Sequence, residues 1–168
     1  MTNVKLLVIV TNDFLRHRLL RAWRPFIVRC GPLASQSAEE DGNYEGPVAF
    51  GRVDVRDGLS LYVFIIDGGW RREYVCRVLA GQVYGYCLVV GPEPSDLALG
   101  QDLLDLLRQA CPGGGVVATS TLEDANLVRA ALSLPADAVV ADVDCDSPAD
   151  VNQLLCSLLE HLTAVPAA

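Results

Sequence analysis

Six short apolar runs alternate with amphipathic segments along the chain. Runs rich in valine, isoleucine and leucine, bounded by turn residues, indicate strands covered on both faces of a sheet. The predicted strands are Val4–Val10, Val48–Val55, Leu59–Ile66, Tyr84–Val90, Val116–Ala118 and Val139–Val143. Between the second and third of them, Asp57-Gly58 is a strong hairpin signal, so these two strands are expected to pair antiparallel.

Five helices are predicted in the remaining segments. The first follows the possible N-caps Thr11, Asn12 and Asp13 and runs to about Trp23. The others are expected at roughly Arg71–Ala80, from Ser95 or Asp96 to Cys111, from the capping-box pattern Ser120–Glu123 to about Leu132, and from Ser147 to the last leucines. Residues Gly31 to Pro47 are rich in Gly, Ser, Glu and Asp, which predicts a long exposed loop.

The order of these elements predicts one α/β domain over residues 1–168. Strands that alternate with helices form mainly parallel sheets with right-handed crossovers and helices on both faces. We therefore expect a six-stranded, mostly parallel sheet with five helices and with Val48–Val55 as its antiparallel edge. In such sheets, ligands bind at the carboxyl ends of the strands.

Composition and charge narrow the class of function. Of the 168 residues, 51% are hydrophobic, which favours a packed core over disorder, and the net charge of −8 disfavours nucleic acid and anionic membrane surfaces. No apolar run approaches the roughly 18 residues of a membrane-spanning helix. The first residues lead into a strand without a basic region or a cleavage site. We therefore expect a cytoplasmic protein.

The six cysteines are expected to be reduced and structural. None of them forms a CxxC pair, and the chain has only two histidines that could complete a zinc site. Cys87 and Cys156 lie within apolar segments, where a thiol packs as a small hydrophobe. The alternation Asp142-Val-Asp-Cys-Asp146 resembles the start of a calcium loop but has Ser147 and Gln153 where that loop needs glycine and glutamate. No metal is expected.

The element order and several local stretches resemble the bacterial Ras-like small GTPase family, in particular the gliding-motility (MglA-like) group. The stretches are Val48–Val55, Leu61–Phe64 followed by a glycine turn and Arg71, Gly85 with its strand, and Leu132–Pro135. The resemblance implies the Ras-like P-loop GTPase fold. It also implies Roadblock-type domains as partners.

The nucleotide motifs that this resemblance implies are missing. A P-loop, GxxxxGK[ST], needs glycines where the backbone meets phosphate and a lysine for the phosphate charge. The corresponding stretch runs from Thr11 to Arg18, contains no glycine, and includes Asn12, Asp13, Arg16, His17 and Arg18. Alignment on Gly68 places Ile65 at the magnesium-linked aspartate and Gly69 at the water-positioning glutamine, and Thr119-Ser-Thr-Leu replaces NKxD. The single lysine, Lys5, lies outside both lysine-bearing motifs.

Two surface stretches are candidates for binding. Arg16, His17, Arg18, Arg21 and Arg24 make the first helix basic, which indicates either a solvated face or a site for an acidic partner or anion. Gly68, Gly69, Trp70, Arg71 and Arg72 lie where the switch II segment of the resembled family contacts partners. Trp and Arg are enriched at interface hot spots, although Trp70 could equally fold back onto the core.

The sequence therefore favours a non-catalytic, pseudo-GTPase module that binds protein partners. It predicts no catalytic residues, no cofactor and no enzyme activity, because all nucleotide motifs diverge together and no Ser/His/Asp or Cys/His set replaces them. The partner could be a Roadblock-type domain or a second copy of the chain. The alternative is a divergent small GTPase that still binds GTP, GDP or another anion through a remodelled site.

Overall fold

The computed structural model of the protein describes residues 2–23, 29–32, 48–56, 58–111, 113–120 and 125–164. Within them, seven strands form one sheet in the order β2-β3-β4-β1-β5-β6-β7. The strands are β1 Thr2–Val10, β2 Arg29–Pro32, β3 Val48–Arg56, β4 Leu59–Asp67, β5 Gly85–Val90, β6 Gly115–Thr119 and β7 Val140–Asp142. Only β3 runs against the others, since it pairs antiparallel with both β2 and β4 while the remaining pairs are parallel.

Five helical segments flank this sheet. They are α1 Asp13–Trp23, α2 over residues 72–82, α3 Pro94–Ala110, α4 Ala125–Ala131 and α5 Pro148–Ala164. Segment α2 is irregular: an α-helical turn, Arg72–Tyr74, continues into a π-helical turn, Val75–Leu79, and a 3₁₀ turn, Ala80–Gln82. No helix in the described ranges is both long and apolar enough to cross a membrane.

Two apolar cores lie on opposite faces of the sheet. On one face, α1 and α5 pack on alternate residues of the strands, such as Leu6, Val8 and Ile65. On the other face, α2, α3 and α4 cover Leu7, Ile9 and their neighbours. Because β1 is covered on both sides, Leu6 to Val10 are at most 1% exposed. This pattern confirms the prediction of an α/β protein with a mostly parallel sheet.

The structure corrects the predicted strand count and the predicted edge. Strand β2, Arg29–Pro32, pairs with Ala49–Arg52 of β3, so the sheet has a seventh strand and β3 is not its edge. The sequence of β2 is Arg-Cys-Gly-Pro, which has neither the apolar alternation nor the β-branched residues that mark a strand. Its pairing with β3 therefore overrides its weak intrinsic preference. The rest of the predicted loop, residues 33–47, lies outside the described residues.

The helix boundaries agree with those predicted from the sequence, except at the start of α3. Helix α3 begins at Pro94, and its N-cap Glu93 lies two or three residues before the predicted caps. Proline at the first helical position needs no hydrogen-bonded N–H, which explains the earlier start. The capping-box residues 121–123 lie outside the described residues. At α5, the Ser147 hydroxyl accepts a hydrogen bond from the Asp150 N–H at 3.3 Å, so the predicted start is confirmed.

A Schellman motif closes the C-terminus of α4. The N–H of Ser133 donates to the carbonyl of Ala130 at 3.2 Å, and the N–H of Leu134 donates to the carbonyl of Arg129 at 2.9 Å. This geometry places Ser133 in the left-handed region at φ 49°. A side chain in that region is disfavoured by roughly 1–2 kcal/mol relative to glycine.

We predict that Ser133→Gly raises the free energy of unfolding by about 0.5–1 kcal/mol, because the relief of left-handed strain exceeds the entropic cost of glycine. Urea denaturation measures the change. The matched control is Ser157→Gly in the interior of α5, which should lower the free energy by about 1 kcal/mol. A loss of stability at both positions would contradict the strain at Ser133.

Candidate functional site

The carboxyl ends of β1, β4 and β5 form the edge where a ligand site is expected in this type of sheet. Only Thr11 and Asn12 connect β1 to α1. The N–H of Thr11 donates to the carbonyl of Val89 at 3.0 Å, and its hydroxyl accepts a hydrogen bond from the N–H of Gly91 at 3.0 Å. The connection is therefore short and hydrogen-bonded to the end of β5. It does not extend into a loop that could surround a ligand.

The side chain of Asn12 caps the N-terminus of α1. Its Oδ1 accepts hydrogen bonds from the N–H groups of Phe14 at 2.9 Å and Leu15 at 3.3 Å. A helix N-terminus attracts phosphate through such unpaired N–H groups. Because Asn12 already occupies two of them, this end of α1 presents fewer donors to an anion. The predicted cap is confirmed at Asn12.

A buried carboxylate lies beside this cap. Asp96, in the first turn of α3, is 5% exposed, and its Oδ2 accepts a hydrogen bond from the Asn12 side-chain amide at 3.4 Å. The same carboxylate packs closely against Gly91. A Cβ at residue 91 would collide with it, which favours glycine at this position. The Asp96 carboxyl group therefore stands near the place where a phosphate would be bound. The sequence pattern identified Asp96 only as a possible helix cap.

Arg16 is buried and does not point a free charge at a ligand. Its side chain is 4% exposed, and its Nε donates to Asp13 Oδ1 at 2.9 Å. His17 Nε2 lies 3.2 Å from the other oxygen of Asp13. Partial burial disfavours the charged form of Asp13, but the hydrogen bonds and charges of Arg16 and His17 outweigh it and hold the pKa of Asp13 below its ordinary value of 3.8. Asp13, Arg16 and His17, three of the residues aligned with the expected P-loop, thus interact with one another.

Arg18 forms a fork-like ion pair with the loop between β7 and α5. Its Nε and Nη2 donate to the two carboxylate oxygens of Asp146 at 3.0 and 2.6 Å. Its guanidinium also lies 5.6 Å from the centre of the Phe14 ring. The hydrogen bond from Arg18 lowers the pKa of Asp146 below its ordinary value of 3.8. Arg18 therefore ties α1 to the opposite end of the chain.

Of the predicted basic surface on the first helix, Arg16 and Arg18 contribute to internal ion pairs. Arg21 is exposed, whereas Arg24 lies outside the described residues. Phe14, in the first turn of this helix, is 68% exposed. The helix is thus less available to an acidic partner than its sequence indicates.

The positions aligned with the other nucleotide motifs are part of the core or of the backbone framework. Ile65 is fully buried among the residues that pack under α1. The N–H of Gly68 donates to the carbonyl of Val10 at 2.8 Å. A Cβ at Gly68 would lie 2.6 Å from Leu103, so close packing requires glycine there. The carbonyl of Thr119 accepts a hydrogen bond from Val143 at 2.9 Å, which joins the end of β6 to the segment after β7.

The predicted partner surface, residues 68–72, lies between β4 and α2. Trp70 is partly buried and packs on the edge of the second core. Arg71 is exposed, has φ 41°, and places its guanidinium 5.8 Å from the centre of the Trp70 ring. Arg72 donates to Asp102 Oδ2 of α3 at 2.9 Å. Trp70 is therefore neither a fully exposed residue nor a core residue, and part of its side chain remains accessible to solvent.

Two exposed apolar residues on α2 extend this surface. Tyr74 and Val78 are 55% and 37% exposed and stand one turn apart. Sequence analysis did not single them out. Tyr74 and Val78 are four residues apart, which places them on one side of a helix, opposite the buried Val75 and Cys76. This helical spacing is visible in the sequence and could have identified them.

Cysteine burial follows the expectation at four described positions and contradicts it at one. Cys76, Cys87, Cys111 and Cys145 are buried free thiols, whereas Cys156 is exposed on α5. Burial raises the pKa of Cys76 and of Cys145 to about 11, so both thiols stay protonated near neutral pH. Within the described residues, no group of three or more His, Cys, Asp or Glu side chains could hold a metal ion.

The geometry defines an α/β protein whose strand-end edge is closed by its own side chains. The sequence matches no protein-family profile and no curated protein. What the site can do chemically must therefore be inferred from the residues themselves.

We predict that Asp146→Asn lowers the stability of the protein at neutral pH and has no effect in strong acid. Because the pKa of Asp146 is depressed by Arg18, the stability that this carboxylate contributes is present above its ordinary pKa and is lost as the pH falls through the folded-state pKa. Chemical denaturation of both proteins between pH 7 and pH 2 measures the difference. Asp137→Asn, an exposed carboxylate outside this ion pair, is the control. A difference that persists at the lowest pH would contradict the ion-pair explanation.

Proposed function

We propose that the protein is a Ras-like pseudo-GTPase domain that acts as a non-catalytic protein-interaction or regulatory module. The observation that carries this proposal is the two-residue connection from β1 to α1, closed by Asn12. A P-loop requires eight consecutive residues whose backbone amides surround phosphate. The described connection is shorter than that, and its Thr11 N–H is already bonded to the carbonyl of Val89.

The strand arrangement supports the Ras-like part of the proposal. Apart from β2, the sheet contains the six strands predicted from the sequence, with β3 antiparallel and helices on both faces. This is the arrangement that the resemblance to the MglA-like group implies. The added strand β2 lies beyond β3 and leaves the order of the other six unchanged.

Electrostatics at the edge support the absence of nucleotide chemistry. GTP and its magnesium ion would need positive donors at the phosphates and a carboxylate at the metal. Arg16 and Arg18 are engaged with Asp13 and Asp146, and Asp96 adds a buried carboxylate beside the cap. A charge-assisted hydrogen bond contributes roughly 1.5–3 kcal/mol, so a site without several of them loses many orders of magnitude in affinity.

The retained property is then a binding surface. Residues 68–72 with Tyr74 and Val78 present an aromatic ring, an exposed arginine and apolar area around α2. Such a combination suits the centre of a protein interface. The partner is a Roadblock-type domain or a second copy of the chain.

We predict that the purified protein contains no guanine nucleotide and that GTP, GDP or ATP with magnesium leaves its melting temperature unchanged. A ligand at 100 times its dissociation constant would stabilise the protein by about 2.7 kcal/mol, which is easily seen. Chromatography of the denatured protein detects any nucleotide that copurifies. Bound guanine nucleotide would overturn the proposal in favour of a divergent GTPase.

A designed control separates loop length from the other losses. Replacing Thr11–Arg18 by a complete P-loop sequence should not restore binding, because Ile65 and the residues after β6 still lack the magnesium and guanine groups. Tight GTP binding by this variant would show that the β1–α1 connection alone had removed the activity.

We predict that Trp70→Ala combined with Arg71→Ala weakens association at least tenfold. The change removes the partly exposed indole ring and the guanidinium beside it. Because Trp70 is partly buried, it should also lower the free energy of unfolding by about 1–3 kcal/mol. Analytical ultracentrifugation measures self-association and binding to a Roadblock-type domain.

Two controls interpret this result. Arg71→Ala alone leaves the Trp70 ring in place, so it should weaken association without a comparable loss of stability. Tyr84→Ala removes an aromatic residue that is 51% exposed and lies outside the surface, so association should stay unchanged. Lower stability with unaltered association in the double variant would show that Trp70 serves packing only.

A further inference from the structure

We draw no further inference here: the strongest candidate, the partly exposed aromatic face that Phe50, Tyr62 and Phe64 form on β3 and β4, carries no proposal because nothing in the structure shows what covers it.

Discussion

Burial of β1 on both faces is the constraint on which the rest of the structure depends. Residues Leu6 to Val10 alternate between the two cores, so helices must cover both sides of this strand. Parallel β4 and β5 flank it and satisfy its backbone hydrogen bonds. After β1 the chain continues from the carboxyl end of this strand. There Thr11 is hydrogen-bonded to Val89 of β5 and to Gly91. The same point is where a ligand would bind in a sheet of this kind, so packing and binding compete for it.

Polar groups at that edge satisfy one another. Asn12 pairs with the first amides of α1 and with Asp96, Asp13 pairs with Arg16, and Arg18 pairs with Asp146. A ligand that displaced these contacts would have to replace each of them, since a polar group left unpaired after burial costs roughly 1–3 kcal/mol. The edge is thus stabilised in its closed form. Binding energy is more readily obtained from surfaces whose groups lack such partners, such as the exposed part of the Trp70 side chain.

The sequence predicted the elements whose signal is local and missed features that depend on distant residues. Apolar runs located six strands, and Asn12 and Ser147 marked helix starts, because composition and capping act over a few residues. Strand β2 was missed because its pairing with β3, rather than its own residues, makes it a strand. The basic first helix indicated either a solvated face or a site for an acidic partner or anion, yet Arg18 pairs with Asp146, which is 128 positions away in the chain. For the same reason the sequence did not reveal that Lys5, Tyr62 and Arg52 stand in one row, since only the register of the sheet brings them together.

The glycines that carry the family resemblance illustrate how much such a resemblance can say about function. At Gly68 a Cβ would lie 2.6 Å from Leu103, and at Gly85 it would collide with Leu162. At both positions a Cβ would displace a buried leucine, so packing favours glycine whatever the protein binds. Gly69, at the position of a catalytic side chain in the resembled family, has no such contact, since its nearest neighbour to a Cβ is Asp67 Oδ1 at 3.4 Å. Packing thus accounts for the residues that agree with the family and leaves unconstrained a position that differs. It follows that the resemblance reports on the scaffold, and that function has to be sought on the surfaces that packing does not determine.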